Sequence, residues 1–271
     1  MKKTIVIGTS LLLAVPAAHM PLSAQTVFRS TQSANLSTAA MLNQGNLLFE
    51  VSHRFDTPIS QGSDALWGLD GPVINRLGLT YAPRDRLMLT VLRSNLDDNL
   101  ELNAKFRVWV AGDGASVPIE VAGQGGIAWN TQPPVLPGVD DNEMQVYAQL
   151  IGNILLADRF ALGVVPTFLR NPVLADVDPE SVFVFGVNGQ LYTEGAVSFL
   201  GEWIFGEART GLGHDGGAFG IELRTRGHFF KLLVTNQSRM NPTQFLAGAP
   251  VDFGDTDAWR FGFNITRLLP F

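Results

Sequence analysis

The segment from Leu100 to Val110 alternates strictly between apolar and polar side chains. Its even positions are all apolar, and its odd positions hold Glu101, Asn103, Lys105, Arg107 and Trp109. A period of two places successive side chains on opposite faces of a β-strand. A register shift of one residue would turn the charged groups to the apolar side, and each Lys or Arg near the middle of a lipid-facing surface costs about 2–4 kcal/mol. The pattern therefore predicts a strand with one face in an apolar medium.

The same alternation recurs along the chain and predicts about twelve strands. We place them at residues 45–55, 72–82, 86–94, 98–110, 117–130, 142–156, 159–169, 181–192, 195–206, 216–226, 228–236 and 257–268. Every second connection is a short turn, and the others are mostly long, at 56–71, 131–141, 170–180, 207–215 and 237–256. This sorting is typical of a transmembrane antiparallel up-and-down β-barrel with both termini periplasmic. A soluble sandwich has no reason to sort its loops, and lipocalin-type barrels have an apolar interior.

The N-terminus has the layout of a secretory signal peptide. Lys2 and Lys3 precede an apolar stretch and the small-residue end Ser23-Ala24, and this stretch is short for a spanning helix. We therefore divide the chain into a signal peptide at 1–24, a periplasmic lead-in at 25–44 that could enter the lumen, and an outer-membrane barrel at 45–271.

Charge and cysteine content narrow the function classes. Without Lys2 and Lys3, the 19 basic residues fall to 17, against 25 acidic ones, a net charge of −8. This acidic balance argues against a nucleic-acid partner, whose phosphates need a basic face. The chain contains no cysteine, so the fold has to be stabilised by ladder hydrogen bonds and packing alone.

The last strand carries several aromatic residues on one face. Counting back in twos from Phe271 leads to Phe263 and Phe261 on one face. A final aromatic strand of this kind resembles the signal by which the barrel-assembly machinery recognises its substrates. We therefore predict that Phe261, Phe263 and Phe271 form a C-terminal assembly signal.

The polar faces of the strands predict a charged lumen. The residues expected to line it are Glu50, Arg54, Arg76, Glu101, Lys105, Arg107, Glu120, Glu143, Glu202, Glu222, Arg224, Arg226, Lys231 and Arg260. Nearly balanced charges indicate ion pairs that fill a narrow interior, and not a ring of one sign that selects an ion. A small-solute or ion pathway beside that network is the alternative.

Catalytic and metal-binding patterns are weak. Ser52 and His53 are adjacent, so a regular strand points them to opposite faces, and no G-x-S-x-G elbow is present. The loop aspartates lack EF-hand spacing and are expected to be solvated. We predict no enzymatic activity, no cofactor and no metal site.

Four stretches resemble a known family. They are S-H-R-F at 52–55, G-L-D-G-P-V-I-N-R-L-G-L-T-Y-A-P-R-D-R-L at 68–87, R-G-H-F-F-K-L-L-V-T-N at 226–236 and R-F-G-F-N-I-T-R at 260–267. In these four stretches, the chain resembles an uncharacterised, domain-of-unknown-function family of bacterial β-barrel membrane proteins. The resemblance implies a barrel in the envelope and supplies no catalytic or ligand residues.

Two functions remain open at this point. One is a narrow channel for small solutes or ions, and the other is a structural or partner-binding barrel with a closed lumen that anchors an envelope complex. The expected partners are outer-membrane lipid, the barrel-assembly machinery, and either a small solute or an envelope protein. A plug formed by residues 25–44 would favour the second function.

Overall fold

A computed structural model describes residues 26–112, 117–133, 143–174, 181–206 and 213–270; the predicted signal peptide and Phe271 lie outside these ranges. Twelve antiparallel strands in this described part form a closed barrel, in which each strand pairs with its sequence neighbours and β1 pairs with β12. The strands are β1 (Leu47–Phe55), β2 (Val73–Arg84), β3 (Leu87–Ser94), β4 (Asn99–Ala111), β5 (Ile119–Asn130), β6 (Met144–Leu156), β7 (Phe160–Arg170), β8 (Ser181–Tyr192), β9 (Val197–Phe205), β10 (Gly216–Thr225), β11 (His228–Thr235) and β12 (Arg260–Leu269).

The predicted strands are confirmed, and their bounds differ from the observed ones by no more than three residues. The agreement follows from alternation, which identifies a strand from local sequence alone. We call the end of the barrel with the β2–β3, β6–β7, β8–β9 and β10–β11 turns the short-turn end, and the opposite one the long-loop end. No helix within the described ranges is long and apolar enough to cross a membrane.

The outer surface of the barrel is apolar. In β4, Leu102 and Phe106 are 42% and 51% exposed, whereas their neighbours Glu101 and Lys105 are buried. The predicted alternation is wrong at Trp109, because the register shifts between Arg107 and Trp109 and both Val108 and Trp109 are exposed. This bulge turns Trp109 outward, against its predicted parity, since an extra residue reverses every later side chain of the strand.

Two segments fill the interior of the barrel. We call residues 26–44, which precede β1 at the short-turn end, the N-terminal plug, and residues 236–249, between β11 and β12 at the long-loop end, the loop plug. The loop plug includes the short helix α1 (Pro242–Phe245). Buried residues of the two plugs include Val27, Phe28, Ala34, Asn35, Leu36, Ala39, Met240, Asn241, Phe245 and Leu246.

The outward-facing side chains of β7 lead to a prediction about stability. Val164 lies in the middle of β7 on the outer face, where it is 46% exposed. Replacing Val164 with arginine is expected to lower the free energy of unfolding by about 2–4 kcal/mol, because the charge enters the apolar band of the bilayer. Urea titration of the protein in lipid vesicles, followed by tryptophan fluorescence, measures the change. Val164→Leu is the control and should be near neutral; equal stability of both variants would contradict a lipid-facing β7.

Candidate functional site

The structure places most of the predicted lumen residues inside the barrel. Nine of the fourteen are buried: Glu50, Arg54, Arg76, Glu101, Lys105, Glu120, Glu202, Glu222 and Lys231. Arg107 and Arg260 are half-buried. Glu143, Arg224 and Arg226 are exposed, so they do not line the buried lumen as predicted. These three residues occupy positions of the polar face, but they lie at or beyond the ends of strands. A side chain that points inward there reaches solvent at the mouth of the barrel.

Glu50 and Arg76 form an ion pair that contacts both plugs. Both side chains are buried, and Arg76 Nε lies 3.1 Å from Glu50 Oε1. Gln32 of the N-terminal plug donates to the same oxygen at 2.9 Å. An Arg76 Nη1 hydrogen bond to the carbonyl of Met240 holds the loop plug. One wall pair therefore joins the two plugs near the middle of the lumen.

The tip of the N-terminal plug encloses the carboxylate of Glu202. Residues 33–36 form a tight turn in which Ser33 N donates to Leu36 O at 2.8 Å. From this turn, the backbone N–H groups of Asn35 and Leu36 and the Asn35 side chain donate to Glu202 over 2.9–3.0 Å. Arg54 donates to Asn35 Oδ1 at 2.9 Å from the opposite side. Hydrogen bonds to charged groups are the strong ones, so the tip of the plug is held tightly.

Two wall lysines bind the main chain of the same plug. Lys231 Nζ donates to Gln32 O at 2.6 Å and Ser33 O at 2.7 Å, and it pairs with Glu222 at 3.4 Å. Lys105 Nζ donates to the carbonyls of Thr31 and Thr38 at 3.1 and 2.9 Å. The lumen charges are thus engaged with the plug and are not arranged around an open path.

The loop plug is held by polar side chains at the long-loop end. Glu101 accepts hydrogen bonds from Tyr147 at 2.9 Å and from Thr243 N at 3.3 Å. Asn241 Nδ2 donates to Asn99 Oδ1 at 2.6 Å. Three wall strands therefore bind the loop plug directly: β2 through Arg76 at Met240 O, β4 through Glu101 at Thr243 N, and β6 through Gln145 at Thr243 O.

Asp97 and Arg239 lie where the loop plug leaves the wall, outside the spanning strands. Burial raises the pKa of the Asp97 carboxyl, and the Arg239 charge and a Gln244 hydrogen bond act in the opposite direction. Burial lowers the pKa of the Arg239 guanidinium, against the attraction of Asp97. Attraction between these two groups therefore favours the inserted position of the loop.

Part of the lumen wall is apolar. Inward-facing residues of β5 to β9 pack with Leu36 of the N-terminal plug and Phe245 of the loop plug in one cluster, whose wall members are Ala122, Tyr147, Ile151, Val165, Leu169, Val182, Val184 and Ile204. The sequence prediction of a polar lumen missed this apolar cluster. An apolar inner wall is stable when other apolar groups cover it and is unfavourable against a column of water.

Little space remains around the plugs. A cavity of about 40 Å³ lies between the N-terminal plug and the wall formed by β1 to β5, beside Glu50, Arg76 and Lys105. Such a volume holds only a few water molecules. A second cavity, of about 200 Å³, lies at the short-turn end between the plug and β1, β11 and β12. Thr31 and Leu48 border both cavities.

The structure offers no catalytic dyad at Ser52 and His53. The Ser52 hydroxyl is buried and donates to Glu50 inside the lumen, whereas His53 packs on Phe263 at the outer face, with ring centroids 4.5 Å apart. In the described ranges, no group of three or more His, Cys, Asp or Glu side chains could hold a metal. Phe261 and Phe263 are half-exposed, and their role in assembly remains a prediction.

The loop plug was missed by sequence reasoning, which treated residues 237–256 as one long surface loop. A signal was present, because residues 240–251 contain no charge and include Met240, Phe245 and Leu246. A loop of this composition is unusual for a solvated surface. Alternation does not reveal such a segment, since it has no regular period.

Comparisons with known proteins agree with the barrel. The model of DUF5777, described as a membrane bound beta barrel domain, matches residues 28–269. Similar solved structures include the NanC porin in a rhombohedral crystal form (TM-score 0.47, 7% identity, 82% of this chain and 98% of that chain). They also include the outer membrane protein Omp33 of Acinetobacter baumannii (0.41, 7%, 85% and 100%) and OccAB3 of Acinetobacter baumannii (0.34, 10%, 80% and 59%).

No curated protein matches the sequence. The family model covers nearly all of the described residues, from the N-terminal plug to the end of β12. The chain therefore belongs to the DUF5777 family of membrane-bound β-barrel domains.

Proposed function

We propose that this protein is a non-enzymatic outer-membrane barrel with a closed lumen, which anchors an envelope complex by binding a partner through its loops. The observation that carries the proposal is the filling of the lumen from both ends by residues 26–44 and 236–249. The plugs leave a central cavity of only about 40 Å³. Solutes do not diffuse through an interior of this kind.

Withdrawal of the N-terminal plug is energetically unfavourable. It would break the hydrogen bonds of Glu202, Lys231 and Lys105 with the plug backbone, each of which contributes about 1.5–3 kcal/mol. It would also expose the apolar wall that Leu36 covers. The closed state is therefore the expected resting state.

The outer-membrane location and the orientation belong to the proposal. The predicted signal peptide, an even number of strands and the sorting of short and long connections support both termini on the periplasmic side. The long-loop end then faces outward. Membrane lipid and the barrel-assembly machinery are the general partners of such a barrel, and the specific one binds at the loops.

A narrow, gated channel is the second candidate function. The two cavities on either side of Thr31 and Leu48 support it, because they form an interrupted seam from the short-turn end to Glu50 and Arg76. The loop plug closes this seam at Pro242. Conduction along it would require displacement of the loop plug.

Planar-bilayer conductance tests the closed lumen. We expect no discrete current steps from the mature protein, residues 25–271, because both plugs are in place. We expect steps from a variant that lacks residues 25–44 and carries a short Gly-Ser linker in place of 238–248. In this variant, water can hydrate the wall charges that the plugs release.

Heat-modifiable electrophoretic migration is the folding control, and only samples that show it are compared. Salt-dependent steps from the folded mature protein would overturn the closed lumen and favour the channel. Silence of the mature protein beside a conducting double-deletion variant would support the proposal.

A further inference from the structure

A group of large apolar side chains is exposed in the loop between β1 and β2. Leu66, Trp67 and Leu69 are 55%, 54% and 50% exposed. They lie at the long-loop end, beyond the end of β1 at Phe55. We call these three residues the apolar hook. Because they stand beyond the strands, the lipid band that covers the barrel wall does not account for them.

The backbone of the hook is strained. Leu66 and Trp67 adopt left-handed conformations, with φ/ψ of 46°/46° and 54°/38°. Such conformations are unfavourable for residues with a side chain and cluster at binding sites. Gly68 follows at φ 89°, where a Cβ atom would lie 2.4 Å from Thr57 O. The chain thus adopts an unfavourable geometry that directs two large apolar side chains outward.

A platform of neighbouring loop residues holds the hook. Ile59 N donates to Trp259 O at 2.7 Å, and Ser60 Oγ donates to Asp257 O at 2.7 Å. Trp259 in turn donates to Phe253 O at 2.7 Å, and the Phe253 ring packs against the barrel residue Trp203 at 5.3 Å. The loop that carries the hook is therefore anchored at Ile59 and Ser60, and anchoring of this kind reduces the entropy lost on binding.

The surroundings of the hook are acidic. Residues 56–75 and 240–259 contain no Lys or Arg, and six exposed carboxylates belong to Asp56, Asp64, Asp70, Asp252, Asp255 and Asp257. Of these, Asp56 pairs with Arg260 at 3.7 Å. Carboxylates of this density repel anionic lipid headgroups and attract a basic surface. Charge complementarity therefore favours a protein with basic residues over a membrane surface as the binding partner.

We propose that the apolar hook binds an apolar pocket of a partner protein whose rim carries Lys and Arg. Trp67 is the central anchor, as exposed tryptophans often are at interfaces, and the aspartates select the charge of the partner. The proposal rests on the proposed function, since it names the surface and the chemistry by which the closed barrel anchors its complex.

Site-specific photo-crosslinking in the cells that produce the protein tests the hook. A benzophenone amino acid at Ser63, which is exposed beside Asp64, should yield a discrete protein adduct. Trp67→Ala should weaken the adduct about tenfold or more, as expected for a central anchor. Asp64→Asn/Asp70→Asn should also weaken it, and 0.5 M salt should weaken the wild-type adduct, because charge attraction is screened. Trp109→Ala, at an outward position 46% exposed near the short-turn end, is the matched control and should leave the adduct unchanged.

A lipid-binding hook is distinguished by fluorescence. Because the chain has no cysteine, a thiol-reactive dye labels the Ser63→Cys variant at that one position. The labelled protein is placed in vesicles of brominated phosphatidylcholine, and quenching of the dye by the bromine atoms is measured. Strong quenching would overturn the proposal in favour of the membrane surface. An adduct that Trp67→Ala leaves intact, or the absence of any adduct, would also overturn it. These results leave the conductance test untouched, whereas a conducting mature protein would overturn the closed lumen whatever the adduct shows.

Discussion

Replacing Arg76 with methionine is expected to lower the free energy of unfolding by about 3–5 kcal/mol, the range for breaking a buried ion pair from one side. The substitution leaves the buried Glu50 carboxylate without its cationic partner and removes the donor to Met240 O in the loop plug. Gln32 and Ser52 still donate to Glu50, but neutral donors do not compensate for a lost charge in this position. Urea titration in lipid vesicles measures the change.

A double-mutant cycle separates the ion pair from packing. Glu50→Gln/Arg76→Met removes both charges, and its loss of stability should be clearly smaller than the sum of the two single losses. Additive losses would show that the two side chains do not stabilise each other. Hydrogen exchange should also rise in residues 236–249 of the Arg76→Met variant, since their link to the wall is lost.

Replacing Lys231 with methionine should release the N-terminal plug and lower the free energy of unfolding by a similar amount, about 3–5 kcal/mol. The ammonium binds the plug at Ser30 Oγ, Gln32 O and Ser33 O and pairs with Glu222 inside the lumen. Faster hydrogen exchange and new protease cleavage within residues 26–44 are the expected readouts. The aliphatic part of methionine keeps the packing of the lysine stem.

The control for this prediction is Lys231→Met/Glu222→Gln. It removes the uncompensated carboxylate, so part of the global stability should return, while exchange in the plug should stay fast because its carbonyls still lack a donor. A plug that remains protected in both variants would contradict its anchoring by Lys231. Restored protection in the double variant would assign the effect to Glu222 alone.

The barrel was predictable because alternation is a local property. Each strand shows which face is apolar within about ten residues, and the closed arrangement follows from the order of strands and turns. The charged residues near strand centres, such as Glu50 and Lys105, were placed inside by the same parity. Those at the strand ends, such as Glu143 and Arg226, were not, because parity gives a direction and not a depth.

The contents of the lumen depend on tertiary structure. The sequence by itself determined a membrane-bound barrel of twelve strands with polar side chains on one face of most of them. Only the fold showed that Glu202 and Lys231 bind a backbone turn about 170 and 200 residues away, and that apolar residues of the loop plug cover the apolar cluster of the wall. Contacts between distant, irregular segments leave no period in the sequence, because they depend on shape and hydrogen-bond complementarity between surfaces that only the closed barrel places side by side.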